Sequence, residues 1–227
     1  RRVLFRSQSI EDITSWSTGA NAFDIGQHYI YRGVLNQDDE LLIATRDRLE
    51  EILTVNIKKD MVYQDHGPQI QISSYGEAFC VAALRLATYL ADSPAAFDVK
   101  SENFGKVIRF IRETQISSIR GNCWDFSVMG RAVSRNGALH GRLGYLQKII
   151  DYNLDPENES IYVDALERQN ENKPADYHVR EFNKHYWASD YTQQARSEYL
   201  FAVRNVSKRT VEAETGNGEN LKANYFS

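Results

Sequence analysis

The chain has 227 residues, 42% hydrophobic and 26% charged, with a formal net charge of −4. Nothing in it approaches the roughly 18 apolar residues of a membrane span, and the acidic balance argues against a nucleic-acid partner. An anionic partner would need local clusters of Arg and Lys, because fields between exposed charges fade within about 8–10 Å at ordinary salt.

The chain opens on Arg1-Arg2-Val3-Leu4-Phe5-Arg6-Ser7 and closes on Tyr225-Phe226-Ser227 within a strand-like run. Both ends read as cut, so a piece of a larger protein is expected. The opening residues are too short for the apolar core of a signal peptide.

Helical periodicity dominates to about residue 170. Residues 22–36 place Phe23, Ile25, Tyr29, Ile30, Val34 and Leu35 at helical spacing, with Asn21 as the expected N-cap. Asp38 and Asp39 start a second helix whose buried stripe is Leu41, Leu42, Leu49, Ile52 and Leu53. Residues 77–91 carry Phe79, Ala82, Ala83, Leu86 and Leu90 on one face, and Cys80 is expected to be buried there. Further helices are predicted over 104–113, 142–152 and 160–170. Short loops favour antiparallel neighbours.

Composition changes at 169–176, a polar stretch containing Pro174. Beyond it, 199–206 (Tyr-Leu-Phe-Ala-Val-Arg-Asn-Val) has the aromatic and β-branched content of a strand. The expected organisation is therefore a helical unit over 1–176 and the start of a β unit over 177–227.

One irregular segment stands out between the helices: Asp65-His66-Gly67-Pro68-Gln69-Ile70-Gln71-Ile72-Ser73-Ser74-Tyr75-Gly76. Two glycines and a proline restrict it to non-helical backbone and hold a His and a Tyr nine positions apart. Ile70 and Ile72 alternate with Gln69, Gln71 and Ser73, which predicts one buried edge and one edge facing a cleft. The bland reading is a turn with a surface His and a core Tyr.

Other clusters accompany it. Ser17-Thr18-Gly19-Ala20-Asn21 is a small-residue turn whose ordinary role is a helix cap. Arg131 and Arg135 are four apart and would share a face on a helical turn, which usually means a solvated surface. Such a pair also suits carboxylate and sulfate, which guanidinium forks bind bidentately. Glu214-Thr215-Gly216-Asn217-Gly218-Glu219-Asn220 follows Ser207-Lys208-Arg209-Thr210 and reads first as a hairpin connection. His185-Tyr186-Trp187 with Arg196 reads as packing between domains. The five histidines form no His-x-x-x-His or His-Glu-x-x-His pattern, so no metal site is expected. Cys80 and Cys123 do not demand a disulfide.

Taken in series, Thr18-Gly19-Ala20-Asn21, His66-Gly67-Pro68-Gln69 with Tyr75-Gly76, Gly130-Arg131 with Ser134-Arg135, Ser207-Lys208-Arg209-Thr210 and Glu214-Thr215-Gly216-Asn217 resemble polysaccharide lyase family eight. Within that family the run 69–76 and the run 206–210 look closest to the chondroitin AC lyases. Asp65 stands where the family often has Gln, and Gln194-Ala195-Arg196-Ser197 replaces a common His-x-Arg-Pro.

The resemblance implies a mostly helical fold with a C-terminal β segment, part of an α/α toroid joined to the start of an antiparallel β-sandwich. It covers about a third of a complete family enzyme. The implied reaction is β-elimination at a hexosamine–uronate link of chondroitin, with no cofactor, leaving a 4,5-unsaturated uronate. Xanthan or hyaluronate lyase of the same fold, or a non-catalytic sugar-binding relative, are the alternatives. By the resemblance, Asn21 neutralises the substrate carboxylate with His66 nearby, Tyr75 carries the proton, and Arg131 supplies positive charge. Glu214 orients His66 or an Arg, and Arg135 and Asn217 position substrate. Tyr75 as both base and acid, or His66 as base with Tyr75 as acid, both fit. The implied partner is an acidic polysaccharide outside the cell, met by a secreted or periplasmic monomer, with no nucleic acid or membrane.

Overall fold

The computed structural model describes residues 18–210. Helices α1 (Gly19–Asn36) and α2 (Asp39–Ile52) form a hairpin across a two-residue connection. Asp38 caps α2 by accepting the Leu41 amide at 3.0 Å, as expected from its acidic start. Helix α1 begins earlier than its periodicity predicts. Thr18 occupies the N-cap without a side-chain hydrogen bond, so Asn21 is an exposed residue of the first turn rather than the cap.

Two short antiparallel strands, β1 (Gln64–Asp65) and β2 (Gln69–Ile70), frame the tight turn at His66 and Gly67. Both turn residues have positive φ, +55° and +87°. For His66 this is a conformation that few non-glycine residues adopt. Helix α3 (Tyr75–Tyr89) follows, starting at Tyr75 rather than at Glu77. Helix α4 (Glu102–Phe110) continues into a wide π turn, Ile111–Gln115, then a 3₁₀ turn and strand β3 (Ile119–Arg120), which pairs with β4 (Cys123–Trp124). The widened turn aims fully buried Gln115 inward, where Nε2 donates to the Ile72 carbonyl at 3.0 Å and Oε1 accepts the Tyr145 hydroxyl at 2.7 Å. Two short helices, α5 (Leu146–Asp151) and α6 (Glu159–Gln169), complete the helical layer.

An aromatic group joins these elements under the His66 turn. Phe23 of α1 meets Phe79 of α3 edge-on at 5.3 Å, and Tyr63 lies 5.5 Å from Phe79 and 5.7 Å from Phe110. Burying such rings contributes beyond their area through edge and offset geometry, about 0.5–1.5 kcal/mol per pair. Burial, with Asp65 second, pushes the Tyr63 phenol far above its ordinary range, so it stays neutral.

The last described elements form an antiparallel sheet in the order β5 (Phe182–Tyr186), β6 (Tyr191–Ala195), β7 (Leu200–Arg204). Tyr186 pairs with Tyr191, and Ala195 with Leu200. Only β7 was foreseen from sequence. Tyr191, Gln193 and Ala195 of β6 are buried, while Phe201 and Val203 of β7 are exposed. Trp187 does not pack between domains as expected, being 53% exposed. Cys80 is buried and both cysteines are free. Among the described residues no helix is long and apolar enough to cross a membrane.

Candidate active site

The strand pair β1–β2 delivers His66 to one side of the start of α3, and Tyr75 is the first residue of that helix. Their rings lie 4.6 Å apart at 53°. From the opposite side, the 3₁₀ turn Gly130–Ser134 brings Arg131, whose Nη2 donates to the Tyr75 hydroxyl oxygen at 2.7 Å. The Arg131 guanidinium carbon stands 5.6 Å from the centre of the Tyr75 ring. Two residues from two other segments, His66 and Arg131, thus converge on the Tyr75 phenol.

The backbone around them is tightly fitted. Ser74, before the helix, has φ +57° and ψ −104°, a strained conformation for a non-glycine residue, of the kind that concentrates at functional sites. The Gly76 amide donates to the Gln71 carbonyl at 2.9 Å, and the Gln71 amide donates to the Tyr63 carbonyl at 2.9 Å. The Gln71 side chain lies against Gly130, where an added Cβ would stand 2.3 Å from its Nε2. Gln71 therefore spaces the Tyr75 segment from the turn that carries Arg131. The expected polar edge of the 69–73 run does not face a cleft. Gln69, Gln71 and Ser73 are buried, as are Ile70 and Ile72, and the backbone of Gln71 and Ser73 carries hydrogen bonds that hold the loop.

Asn21 is exposed on the first turn of α1, the turn that Gly19 seats against β1. Gly19 sits where an added Cβ would stand 2.6 Å from the Tyr63 hydroxyl and 3.0 Å from Asp65 Oδ2. Asp65 also accepts the His66 amide at 2.8 Å. The first turn of α1 is thereby laid beside the β1 end that leads to His66. Arg131 and Arg135 do not share a helical face, contrary to their four-residue spacing. The turn is 3₁₀ and Arg135 is already extended, so Arg131 turns inward while Arg135 is exposed. Arg135 nevertheless lines, with Tyr75, a cleft of about 700 Å³ along α3. Glu214 and Asn217 lie outside the described residues.

That cleft contains a residue with no motif to announce it. Glu77, one turn into α3, shares the wall with Ala78, Val81 and Arg142. Burial raises its carboxyl to about 7, opposed by the amide and the charge of Arg142. Burial raises the Cys80 thiol and the Tyr145 phenol, and the nearby Glu77 charge adds to both. From sequence, a Glu in a helix's first turn reads as an exposed dipole partner, and only the distant 136–142 loop buries it. Among the described residues no group of three or more His, Cys, Asp or Glu could hold a metal ion.

The model of the N-terminal alpha-helical domain of polysaccharide lyase family 8 matches residues 5–166, and that of its super-sandwich domain matches residues 181–227. The chain belongs to polysaccharide lyase family 8. Chondroitinase-AC of Pedobacter heparinus is 36% identical over 215 residues, 92% of this chain and 30% of that protein. The family 8 chain thus spans under a third of the length of this curated relative. A chondroitinase AC lyase solved in enzyme–oligosaccharide complexes superposes with a TM-score of 0.81 at 34% identity, over 93% of this chain and 31% of that one. A Streptomyces coelicolor A3 chondroitin AC lyase solved with chondroitin sulphate gives 0.70 at 20% identity, covering 92% and 34%. A Paenibacillus xanthan lyase gives 0.68 at 18%, covering 88% and 22%. The last two likenesses bear on fold alone. The mostly helical fold with C-terminal antiparallel strands is that of the family 8 lyases.

Proposed function

We propose that this chain belongs to a glycosaminoglycan lyase that cleaves chondroitin by β-elimination. The observation that carries the reading is the Tyr75 hydroxyl held at 2.7 Å by Arg131, with the His66 ring beside it. Arg131 accepts no proton, so the phenol oxygen is oriented by a donor and remains available to exchange a proton with substrate. The relative with 36% identity is a chondroitinase, which supports chondroitin as the substrate class.

In the proposed step Tyr75 enters as the phenolate, the C5–H bond of the uronate breaks and its proton passes to the Tyr75 oxygen. The C4–C5 double bond forms as the C4–O4 bond breaks, and the same phenol returns the proton to the leaving O4. No water is consumed and no cofactor is called for. The Asn21 amide, with His66, neutralises the uronate carboxylate as charge moves onto it, the role of an oxyanion-type donor. Arg131 supplies positive charge where the phenolate forms. Arg135 and Asn217 position the sugar, and Glu214 orients His66 or an Arg. The enzyme acts as a secreted or periplasmic monomer on polymer outside the cell, with hyaluronan as a second substrate sharing the uronate chemistry.

The test is incubation of the intact protein with chondroitin. Expected are products absorbing as conjugated unsaturated uronates, near-complete loss in Tyr75→Phe, and turnover lowered about 10²–10³-fold in Asn21→Ala. Products with saturated uronates would mean hydrolysis and overturn the lyase reading.

A further inference from the structure

The connection between β5 and β6, with Tyr191 that follows it, is bonded to the segments just before His66, before Arg131 and after β7. Toward His66, Gln64 Nε2 donates to the Ala188 carbonyl at 2.7 Å and to Ser189 Oγ at 2.9 Å. Asp60 accepts the Ala188 amide at 2.8 Å. Gln64 lies two residues before His66, and its own carbonyl accepts from Asn56 at 2.7 Å. Toward Arg131, the Tyr191 hydroxyl donates to Asp125 Oδ2. The other oxygen of Asp125 caps the turn Phe126–Val128 through the Ser127 amide at 2.9 Å, and the Val128 carbonyl accepts the Ser73 amide at 3.3 Å. Toward the C-terminal side, the Asp190 carboxylate accepts from Ser207 Oγ and from Arg209, and its carbonyl accepts the Asn205 amide at 2.9 Å. Glu214 follows Arg209 by five positions in sequence.

Gln64, Ser189 and Tyr191 are buried, so the bonds they make are shielded from water and costly to leave unmade, whereas the Asp190–Arg209 pair opens to solvent on the Arg209 side. Asp190 closes the four-residue connection in the left-handed conformation, φ +47°, that commonly ends a hairpin loop built on a type I turn, here the one closed by the Ser189 amide on the Tyr186 carbonyl at 3.1 Å.

We propose that the 188–191 turn is a positioning clamp that sets the spacing of His66, Tyr75 and Arg131, with Ser189 and Tyr191 as its working side chains. The β unit thereby acts on the helical unit's catalytic groups from behind, without touching substrate. The kinetic part of this inference rests on the lyase reading; its structural part does not.

The test uses Ser189→Ala and Tyr191→Phe in the intact protein. Each removes one oxygen, and Phe keeps the ring that stacks on Tyr186 at 5.5 Å. Backbone hydrogen exchange should accelerate in peptides covering 64–75 in Ser189→Ala and 125–135 in Tyr191→Phe, with α6 unchanged. Turnover on chondroitin should fall about 10–100-fold with KM within about twofold, the signature of misplaced catalytic groups. Unchanged exchange in both loops, or acceleration spread equally through α6, would overturn the clamp. An intact wild-type protein inactive on chondroitin would overturn the lyase reading instead, and exchange alone would then decide the clamp.

Discussion

Gly76→Ala should destabilise the protein although it places alanine in a helix. Gly76 is the second residue of α3, and an added Cβ would stand 2.6 Å from the Gln71 carbonyl oxygen. That oxygen cannot swing away. It is main chain, it accepts the Gly76 amide, and its residue is fixed to the Tyr63 carbonyl. Normal contact lies nearer 3.5 Å, so α3 and the 69–74 loop must part by roughly 0.5–1 Å. Overpacking of this kind costs about 1–3 kcal/mol. Replacing a helical glycine by alanine returns only about 0.5–1 kcal/mol. The clash wins, leaving a net loss of about 1–2 kcal/mol by these two figures. Gly105→Ala in α4 is the matched control, since Gly105 is exposed and an added Cβ meets nothing within 4 Å. It should stabilise by about 0.5–1 kcal/mol. Urea unfolding of the intact protein measures both signs. Because Tyr75 is carried on the displaced turn, Gly76→Ala should also lower turnover, and about 10²-fold is the scale for a 1 Å misplacement. If the two variants were stabilised alike, the tight seating of α3 on Gln71 would be refuted. Wild-type turnover in Gly76→Ala would refute its link to Tyr75.

Glu77 makes stability fall as pH rises, because its folded value of about 7 exceeds its ordinary 4.5 and the native state holds a proton the unfolded chain has released. The loss accumulates between about pH 4.5 and 7 and amounts to at most about 3 kcal/mol, less for the group's partial exposure; Glu77→Gln should match wild type at pH 4.5 and exceed it at pH 8 in urea titrations, and equal slopes would exclude the effect. Gln115→Ala leaves the Ile72 carbonyl and the Tyr145 hydroxyl buried without this partner, so a loss of about 2–4 kcal/mol is expected in the same unfolding assay.

The helices were legible because their apolar residues recur at helical spacing, while their starts were less so: α4 begins two residues before the predicted 104 although Ser101 caps it through the Phe104 amide. Helix α2 begins where Asp38 supplies its cap bond. Helices α1 and α3 begin two or three residues earlier than predicted, and neither Thr18 nor Ser74 makes a side-chain cap. A start without a cap leaves no local chemical signal. Strands β5 and β6 escaped for a different reason. The inward face of β6 includes Gln193, which is fully buried and donates to Ser118 Oγ at 3.2 Å. A strand that buries a glutamine against another domain does not show the apolar alternation by which strands are found.

The site divides along the same line. His66, Tyr75 and Arg131 were found because they stand in ordered motifs, and the fold brings those three together. The residues that hold them were invisible. Gln71 looked like one of several polar residues on a cleft edge, yet it is buried between Tyr63 and Gly130. Gln64, Ser189 and Tyr191 belong to segments more than 120 positions apart, and no local pattern records that they meet. Groups that face substrate must be particular residue types, so their chemistry marks the sequence. Groups that set spacing need only the right donor or acceptor at the right place, and many residue types supply one. The candidate site residues are therefore readable from motifs, whereas the frame that aligns them emerges only where the helical layer meets the sheet.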